Sequence, residues 1–334
     1  MIPKEDVIVV VSNEGYIKRL SNRSMESSDG ETGLKELDYV IGKYKMNTMD
    51  TLLLFTDKGN YLYIPVYEIP DMKWKDLGKH ISNIVSISAE ENIIASLPVY
   101  DFDKEQYVTI FTKNGMVKRT KLNEFKALRY SKPITCIKLK DDDKVVDVKF
   151  NTDKYVFVST NNGYGLTYKL SEVPIVGLKT SGVKSISLKN DFVVSSTIYG
   201  DNLEYLTVIT NKMTGKRIKL SEFEVTSRAR KGVQIVREIK TNPYYILKTF
   251  IINYKETLGL KLKTEIIEIK LTEIPIMDRY STGSSISKSE IVDVFETKIL
   301  EFKEEVNTKI EKENIDLDTI DQKMMTIDDF LKEL

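Results

Sequence analysis

The chain repeats one hydrophobic pattern six times: an apolar strand, a short polar turn and a second strand. In the third copy, Tyr107–Thr112 is the apolar strand and Asn114-Gly115 closes the turn. The turns NEG, DKG, KNG and NNG of the first four copies are hairpin signals, since Asn-Gly favours the positive φ that suits hairpin twist. The turns that lack glycine should be longer or strained. The turn positions, 44 to 56 residues apart, are Gly15, Gly59, Gly115, Gly163, Met213 and Thr264.

A second unit follows each hairpin: a basic or glycine-rich turn and then another alternating strand. Examples are residues 77–88, 177–188 and 228–239. About four strands in each repeat of roughly 50 residues predict an all-β, six-bladed, propeller-like ring, with a solenoid as the less favoured alternative. The expected segments are a lead at 1–4, a domain at 5–297 with repeats near 5–49, 50–104, 105–152, 153–202, 203–254 and 255–297, and a short, acidic, partly helical tail at 298–334.

Alternation along the second strand of each hairpin predicts which side chains face solvent. Odd positions after the turn are mostly apolar and should face the core, whereas even positions should face outward. In the third to fifth repeats the even positions are rich in cations. These predicted outward cations are Arg119, Lys121, Lys169, Arg217 and Lys219.

Composition narrows the chemistry that the chain can perform. Apolar residues make up 41%, enough for a core, and no apolar run approaches the roughly 18 residues of a membrane helix. A single cysteine, Cys136, and a single histidine, His80, exclude a disulfide framework, a cysteine-rich zinc site and a histidine triad. The sequence therefore predicts no metal, no cofactor and no catalytic residue in this domain.

The formal net charge of zero conceals an uneven distribution along the chain. Residues 1–99 carry a net charge of −4, residues 100–240 carry +10, and residues 300–334 carry −6. Because the cations of the middle region fall on outward strand positions and in tight turns, they predict a surface that faces a polyanion. The basic turns around Gly182 and Gly232 can reach phosphates without reading bases.

The repeats GYIKRL, NGMVKRTKLNEF, NNGYGLTYKLSEVP and GKRIKLSEF resemble the C-terminal domains of bacterial type IIA topoisomerase A subunits. The resemblance covers residues 5 to about 297. It implies a β-pinwheel, in which each blade exchanges a hairpin with the next blade, with double-stranded DNA on a basic rim. The cations expected to contact DNA are Arg19, Arg119, Lys121, Arg129, Lys169, Lys179, Lys184, Lys216, Arg217, Lys219, Arg228, Arg230 and Lys231.

One segment separates the two branches of that family. Gyrase carries a box of the form Gln-Arg-Arg-Gly-Gly-Lys-Gly after the first hairpin, where this chain has Met25–Gly33 with Glu26, Asp29 and Glu31. Acidic side chains repel phosphate, so the departure favours the topoisomerase IV branch over a gyrase wrapping domain. A propeller that scaffolds proteins remains a further alternative.

The resemblance also implies a longer parent protein. That parent would be an ATP-dependent type II topoisomerase that decatenates and relaxes DNA, with its catalytic tyrosine, ATP and Mg²⁺ bound outside this chain. Its expected partners are the B subunit of topoisomerase IV and a second copy of its own A-type chain, with no membrane. The expected location is the bacterial cytoplasm, in association with the nucleoid.

Overall fold

A computed structural model describes residues 2–26 and 30–299. These residues belong to one compact unit, residues 1–300. The acidic tail predicted from residue 298 onward therefore lies almost entirely outside the described residues. None of the helices in the described ranges is long and apolar enough to cross a membrane.

Almost all regular structure in the described residues is β. Short 3₁₀ turns lie at Val66–Glu68, Ile81–Asn83, Leu122–Phe125, Leu170–Glu172, Leu220–Glu222 and Leu271–Glu273, and the one short α-helix is α1 (Asn22–Glu26). The strands are β1 (Asp6–Ser12), β2 (Tyr16–Ser21), β3 (Val40–Asn47), β4 (Thr51–Thr56), β5 (Asn60–Pro65), β6 (Lys79–His80), β7 (Ile93–Val99), β8 (Tyr107–Thr112), β9 (Met116–Lys121), β10 (Ile134–Thr135), β11 (Val145–Lys149), β12 (Tyr155–Thr160), β13 (Tyr164–Lys169), β14 (Val183–Lys184), β15 (Val193–Tyr199), β16 (Tyr205–Thr210), β17 (Thr214–Lys219), β18 (Val233–Gln234), β19 (Ile246–Phe250), β20 (Thr257–Lys261), β21 (Ile266–Lys270), β22 (Ser284–Ser285) and β23 (Asp293–Glu296).

The strands form six antiparallel sheets, which are the six blades predicted from the repeats. Each blade is built on one predicted hairpin, such as β8–β9. The last strand of the same repeat, here β11, pairs with the first strand of that hairpin. These third strands, β3, β7, β11, β15, β19 and β23, contact one another in succession. Apolar side chains on both faces of the hairpins fill the space between blades, as expected for sheets covered on both sides.

The outer edge of each of the first five blades is completed by the next repeat. Strand β14 follows hairpin β12–β13 in the chain, yet it pairs with β9 of the preceding blade, where Val183 lies opposite Val117. Strands β6, β10, β18 and β22 are exchanged in the same way. The β-pinwheel fold is thus confirmed, although the exchanged element is a single short strand and not the expected hairpin. Within the described residues the sixth blade has three strands, in the order β21–β20–β23.

Four of the exchanged strands begin directly after a glycine with positive φ. At Gly182, φ is +77°, and a Cβ atom would lie 2.4 Å from the carbonyl oxygen of Val117 on the neighbouring strand. The backbone at this position therefore approaches the preceding blade more closely than any side chain would allow. This close approach permits β14 to pair with β9.

The turns without glycine differ from the expectation in one of two cases. Met213 has a φ of +60°, so this hairpin keeps the shared turn at the cost of backbone strain, as predicted. The prediction is wrong at Thr264, where the turn is tight. Leu262 there donates its N–H to the carbonyl oxygen of Glu265 at 2.8 Å, and Thr264 does not have positive φ.

The first and sixth blades meet through an aromatic pair, which closes the ring. The rings of Tyr39 and Phe295 stack 3.6 Å apart with an interplanar angle of 3°. The Tyr39 hydroxyl donates to Asp293 at 2.9 Å, and Lys248 pairs with the same carboxylate at 2.8 Å. Burial and this carboxylate raise the pKa of Tyr39, which therefore stays a neutral hydrogen-bond donor.

We expect Gly182→Ala to lower the free energy of unfolding by about 1–3 kcal/mol, because alanine is strained at positive φ and its methyl group would meet the Val117 carbonyl. The midpoint of urea unfolding, followed by circular dichroism, measures this loss. Gly177→Ala is the matched control in the same segment, since its Cβ would meet only the flexible Glu124 carboxylate at 3.4 Å. Equal midpoints for the two variants would contradict the proposed close approach.

Candidate nucleic-acid interface

Five segments lead into the exchanged strands and lie along the outer edges of the first five blades. We call them rim loops 1 to 5, in chain order, and they comprise residues 70–80, 126–135, 174–184, 226–234 and 276–285. Rim loops 2, 3 and 4 together contain eight lysines and arginines and no acidic residue. Rim loop 1 has three cations and two carboxylates, and rim loop 5 has one of each. The positive charge of the rim is thus concentrated on three consecutive blades.

Backbone hydrogen bonds fix four of these loops against the blade that they cover. In rim loop 3, Arg119 donates its N–H to the carbonyl of Pro174 at 3.2 Å and accepts from Val176 at 2.8 Å. This short parallel pairing recurs in rim loops 1, 4 and 5. Because the loop backbone is held at both ends, its cations are presented from a rigid support.

Three of the rim loops are each held from beneath by a buried lysine of their own. The Lys118 ammonium is 0% exposed and donates to the carbonyls of Gly177 at 2.7 Å and Leu178 at 2.8 Å. Lys18 makes the same kind of contact with rim loop 1, and Lys216 makes it with rim loop 5. Burial lowers the pKa of each to about 8, so the charged form with three donors still predominates at pH 7.

Two arginines that follow these lysines also bind backbone carbonyls. The Arg119 guanidinium donates twice to the carbonyl of Val173, at 2.9 and 3.1 Å, and is half-buried. Arg217, which is 8% exposed, donates to the carbonyl of Ile274 at 2.8 Å and lies over the Tyr205 ring. Both side chains therefore hold the chain of the next repeat in place.

The sequence-based assignment of Lys216 to the DNA-binding surface is wrong, because its ammonium is fully buried and bonded to three carbonyls. The outward placement of Arg217 is wrong as well. Alternation predicts one solvent-facing side, but the middle of each second strand is covered by the adjacent blade and by the rim loop. Val117 and Gly165, at outward positions, are buried for the same reason.

The remaining predicted cations reach solvent to different degrees. Arg19 and Arg119 are half-buried. Arg228 is also half-buried, and its guanidinium donates to the carbonyls of Glu172 and Lys184. The exposed members are Lys121, Arg129, Lys169, Lys179, Lys184, Lys219, Arg230 and Lys231.

Sequence reasoning missed several exposed rim cations: Lys126 and Lys132 in rim loop 2 and Lys73, Lys75 and Lys79 in rim loop 1. The signal that could have found them is their position relative to the exchanged strands. Each of these residues precedes or begins an exchanged strand, as Lys179 and Lys231 precede theirs. A comparison of the second units by register would have selected them.

Residues 30–33, the described end of the segment that replaces the gyrase box, lie against rim loop 1. Gly33 and Thr32 both donate to the carbonyl of Trp74, at 3.0 and 2.9 Å, and Lys75 donates to the carbonyl of Glu31 at 3.1 Å. The Trp74 indole N–H donates to the carbonyl of Gly30 at 3.1 Å. The segment is thus positioned to change the charge of the rim at the first blade, and here it carries Glu31 rather than cations.

Within the described ranges no group of His, Cys, Asp and Glu could hold a metal ion.

Comparison with known proteins agrees with this architecture. The family model described as DNA gyrase C-terminal domain, beta-propeller, matches residues 6–22, 50–99, 106–151, 154–198 and 204–253. The A subunit of DNA topoisomerase 4 from Bacillus subtilis is 43% identical over 288 residues, which are 85% of this chain and 36% of that protein. The corresponding Staphylococcus aureus protein is 36% identical over 303 residues, 88% of this chain and 38% of its own length. The chain therefore spans little more than a third of these relatives.

Solved structures of two C-terminal domains are among those similar to this chain. A crystal structure of the C-terminal domain of DNA topoisomerase IV has a TM-score of 0.86 and 43% identity, covering 89% of this chain and 94% of that one. A DNA gyrase A C-terminal domain has a TM-score of 0.64 and 21% identity, covering 88% and 100%, and supports the fold alone.

We expect Lys118→Met to lower the free energy of unfolding by about 1–3 kcal/mol, because the substitution leaves the carbonyls of rim loop 3 without their donor. Lys121→Met, three positions along the same strand and exposed, should change it by no more than about 0.5 kcal/mol. Urea unfolding of both variants provides the measurement. An unchanged free energy of unfolding in Lys118→Met would show that the buried ammonium does not brace the loop.

Proposed function

Because this chain belongs to the DNA gyrase C-terminal domain family, we propose that its rim binds duplex DNA through the phosphates, without reading base sequence. The observation that carries the proposal is the set of eight cations and no carboxylate on rim loops 2, 3 and 4. Neutralisation of phosphates by lysine and arginine releases counterions and supplies the sequence-independent part of DNA affinity. Contacts of this kind fix the position and path of the duplex.

The way in which the rim loops are held against the blades suits the binding of phosphates. Rim loops 3 and 4 are tied to their blades by backbone pairing, and Lys184 and Lys231 lie at or beside the exchanged strands. Three consecutive blades present charge along one arc of a ring. A duplex that follows this arc must bend, and the additional phosphates that it brings against the rim offset the cost of bending.

We propose further that the chain serves as the C-terminal domain of a topoisomerase IV A subunit. The Bacillus and Staphylococcus relatives carry that name, and the chain corresponds to about a third of their length. In this role the domain would present the transported DNA segment for ATP-dependent strand passage, and the enzyme would be completed by the B subunit together with a second A-type chain. The catalytic tyrosine, ATP and Mg²⁺ would lie outside this chain, which alone would have no activity.

The acidic segment against rim loop 1 favours this assignment over a gyrase wrapping domain. Gly30 and Gly33 lie within hydrogen-bonding distance of the Trp74 segment, so a basic box here would extend the cationic arc to the first blade. With Glu31 in its place, repulsion of phosphate limits binding to the following blades. The domain would then hold a bent segment rather than a full wrap.

Substitution of Lys184, Arg230 and Lys231 by alanine tests the phosphate contacts. We expect a weaker affinity for a 40-base-pair duplex and a plot of log K against log salt whose slope is shallower by about 3, close to one unit for each lost contact. The matched control replaces Lys45, Lys255 and Lys263, which are exposed and lie outside the rim loops, and so changes the net charge equally.

Fluorescence anisotropy across a salt series distinguishes the alternatives. The wild-type domain should bind A·T-rich and G·C-rich duplexes with similar affinity, since phosphates carry no base information. Equal losses in the two triple variants would show that only overall charge matters. Absence of binding by the wild-type domain at low salt would reject the proposed function and favour a protein scaffold.

A further inference from the structure

Rim loop 2 exposes a leucine at the centre of its positive charge. The Leu128 side chain is 94% exposed, the largest value among the large apolar residues that the structure describes as exposed. Lys126 and Arg129 lie on either side of it in the chain, and Lys132 follows. Isolated exposed leucines are common on protein surfaces, so exposure alone carries no function. The loop around Leu128 supplies the further observations.

Rim loop 2 is built differently from the other four rim loops. Within the described residues it lacks the parallel backbone pairing of rim loops 1, 3, 4 and 5. Pro133 replaces the positive-φ glycine that precedes the other four exchanged strands. Leu62 occupies the position of the bracing Lys118, a change that rim loop 4 shares through Leu166. The loop is held instead by Tyr130, whose ring lies 5.1 Å from that of Tyr63. These differences leave its first half free of the backbone contacts that hold the other loops down.

The cations of rim loop 2 are also available for a ligand. The side chains of Lys126, Arg129 and Lys132 have neither an ion pair nor a hydrogen bond to any other described residue, and Arg129 is exposed. In rim loops 4 and 5, by contrast, Arg228 and Arg279 donate to backbone carbonyls. Rim loop 2 thus combines an exposed apolar side chain with three unengaged positive charges.

We propose that Leu128 acts as a wedge that inserts between two base pairs of the bound duplex and kinks it at the second blade. This inference rests on the proposed DNA-binding function. Leucine and other apolar side chains, when carried into the minor groove, unstack a base step and kink the duplex by roughly 20–90°. Lys126, Arg129 and Lys132 would neutralise the phosphates on both sides of the opened step. The energy spent on unstacking is offset by phosphate contacts that the bent duplex makes with rim loops 3 and 4.

The charge around Leu128 favours DNA over a protein partner. A single leucine buries too little area for a specific protein interface, which needs about 1,000 Å² or more. Rim loop 2 itself carries three cations and no carboxylate, with Glu68 the carboxylate that its Tyr130 contacts at 3.4 Å, and the three cations match the phosphates on either side of a base step. A protein partner would have to supply a matching acidic surface around one apolar pocket.

The test compares Leu128→Ala with Met49→Ala, which removes another exposed apolar side chain, 57% exposed, at the turn before β4. Two readouts use a duplex of about 40 base pairs: energy transfer between dyes at its ends, for the bend, and the fluorescence of 2-aminopurine at successive positions, for unstacking. With the wild-type domain we expect shortened end-to-end distances and at least a twofold rise in 2-aminopurine emission.

Leu128→Ala should abolish the 2-aminopurine rise and at least halve the change in energy transfer, while the salt slope of binding stays within one unit of wild type. Leu128→Phe should retain both signals, since phenylalanine also serves as a wedge. Met49→Ala should behave as wild type.

Wild-type signals in the Leu128→Ala complex would overturn the wedge but leave DNA binding intact. Absence of wild-type binding would instead reject the proposed function itself. Loss of the signals in Met49→Ala would also overturn the wedge, because the effect would not be specific to Leu128.

Discussion

The exchange of one short strand between successive repeats is the constraint on which the rest of the structure depends. No repeat can complete its own sheet, because the outer strand of each of the first five blades comes from the repeat that follows. The connecting segment must therefore pass over the neighbouring blade, and this passage creates the rim loops. The close approach at Gly182 and the buried ammonium of Lys118 are two consequences of that path. The path of the connecting segment therefore links the folding of each blade to the presentation of charge on its surface.

The same constraint divides the basic residues into two groups with different roles. Lys18, Lys118 and Lys216 use their charge inward, where backbone carbonyls replace water around the ammonium. The exposed cations of the rim loops remain free to bind phosphate. Neighbours in sequence can thus have opposite roles, as Lys118 and Lys121 do. A count of lysines and arginines overestimates the binding surface for this reason, and only burial shows which charges are available.

The sequence predicted the six hairpins and the four glycine turns, because period-two alternation and Gly15, Gly59, Gly115 and Gly163 are local signals. The exchanged strands span only two residues each, too short for periodicity to reveal, and their pairing was expected only from family resemblance. Lys216 was misassigned because alternation cannot show that both faces of a strand are covered. The stacking of Tyr39 on Phe295 joins distant parts of the chain and has no local signature. The exposure of Lys184, Arg230 and Lys231 agrees with their predicted role, which only binding data can test.

Lysine-selective chemical labelling, read by mass spectrometry with and without duplex DNA, tests this division of the lysines most directly. We predict that Lys18, Lys118 and Lys216 resist labelling in both states, since their ammonium groups are enclosed by carbonyls. Lys126, Lys132, Lys179, Lys184 and Lys231 should label in the free domain and be protected by DNA, while Lys45 and Lys263 should label equally in both states. Rapid labelling of the three buried lysines in the folded domain, or protection of Lys45 and Lys263 with none on the rim loops, would contradict the division.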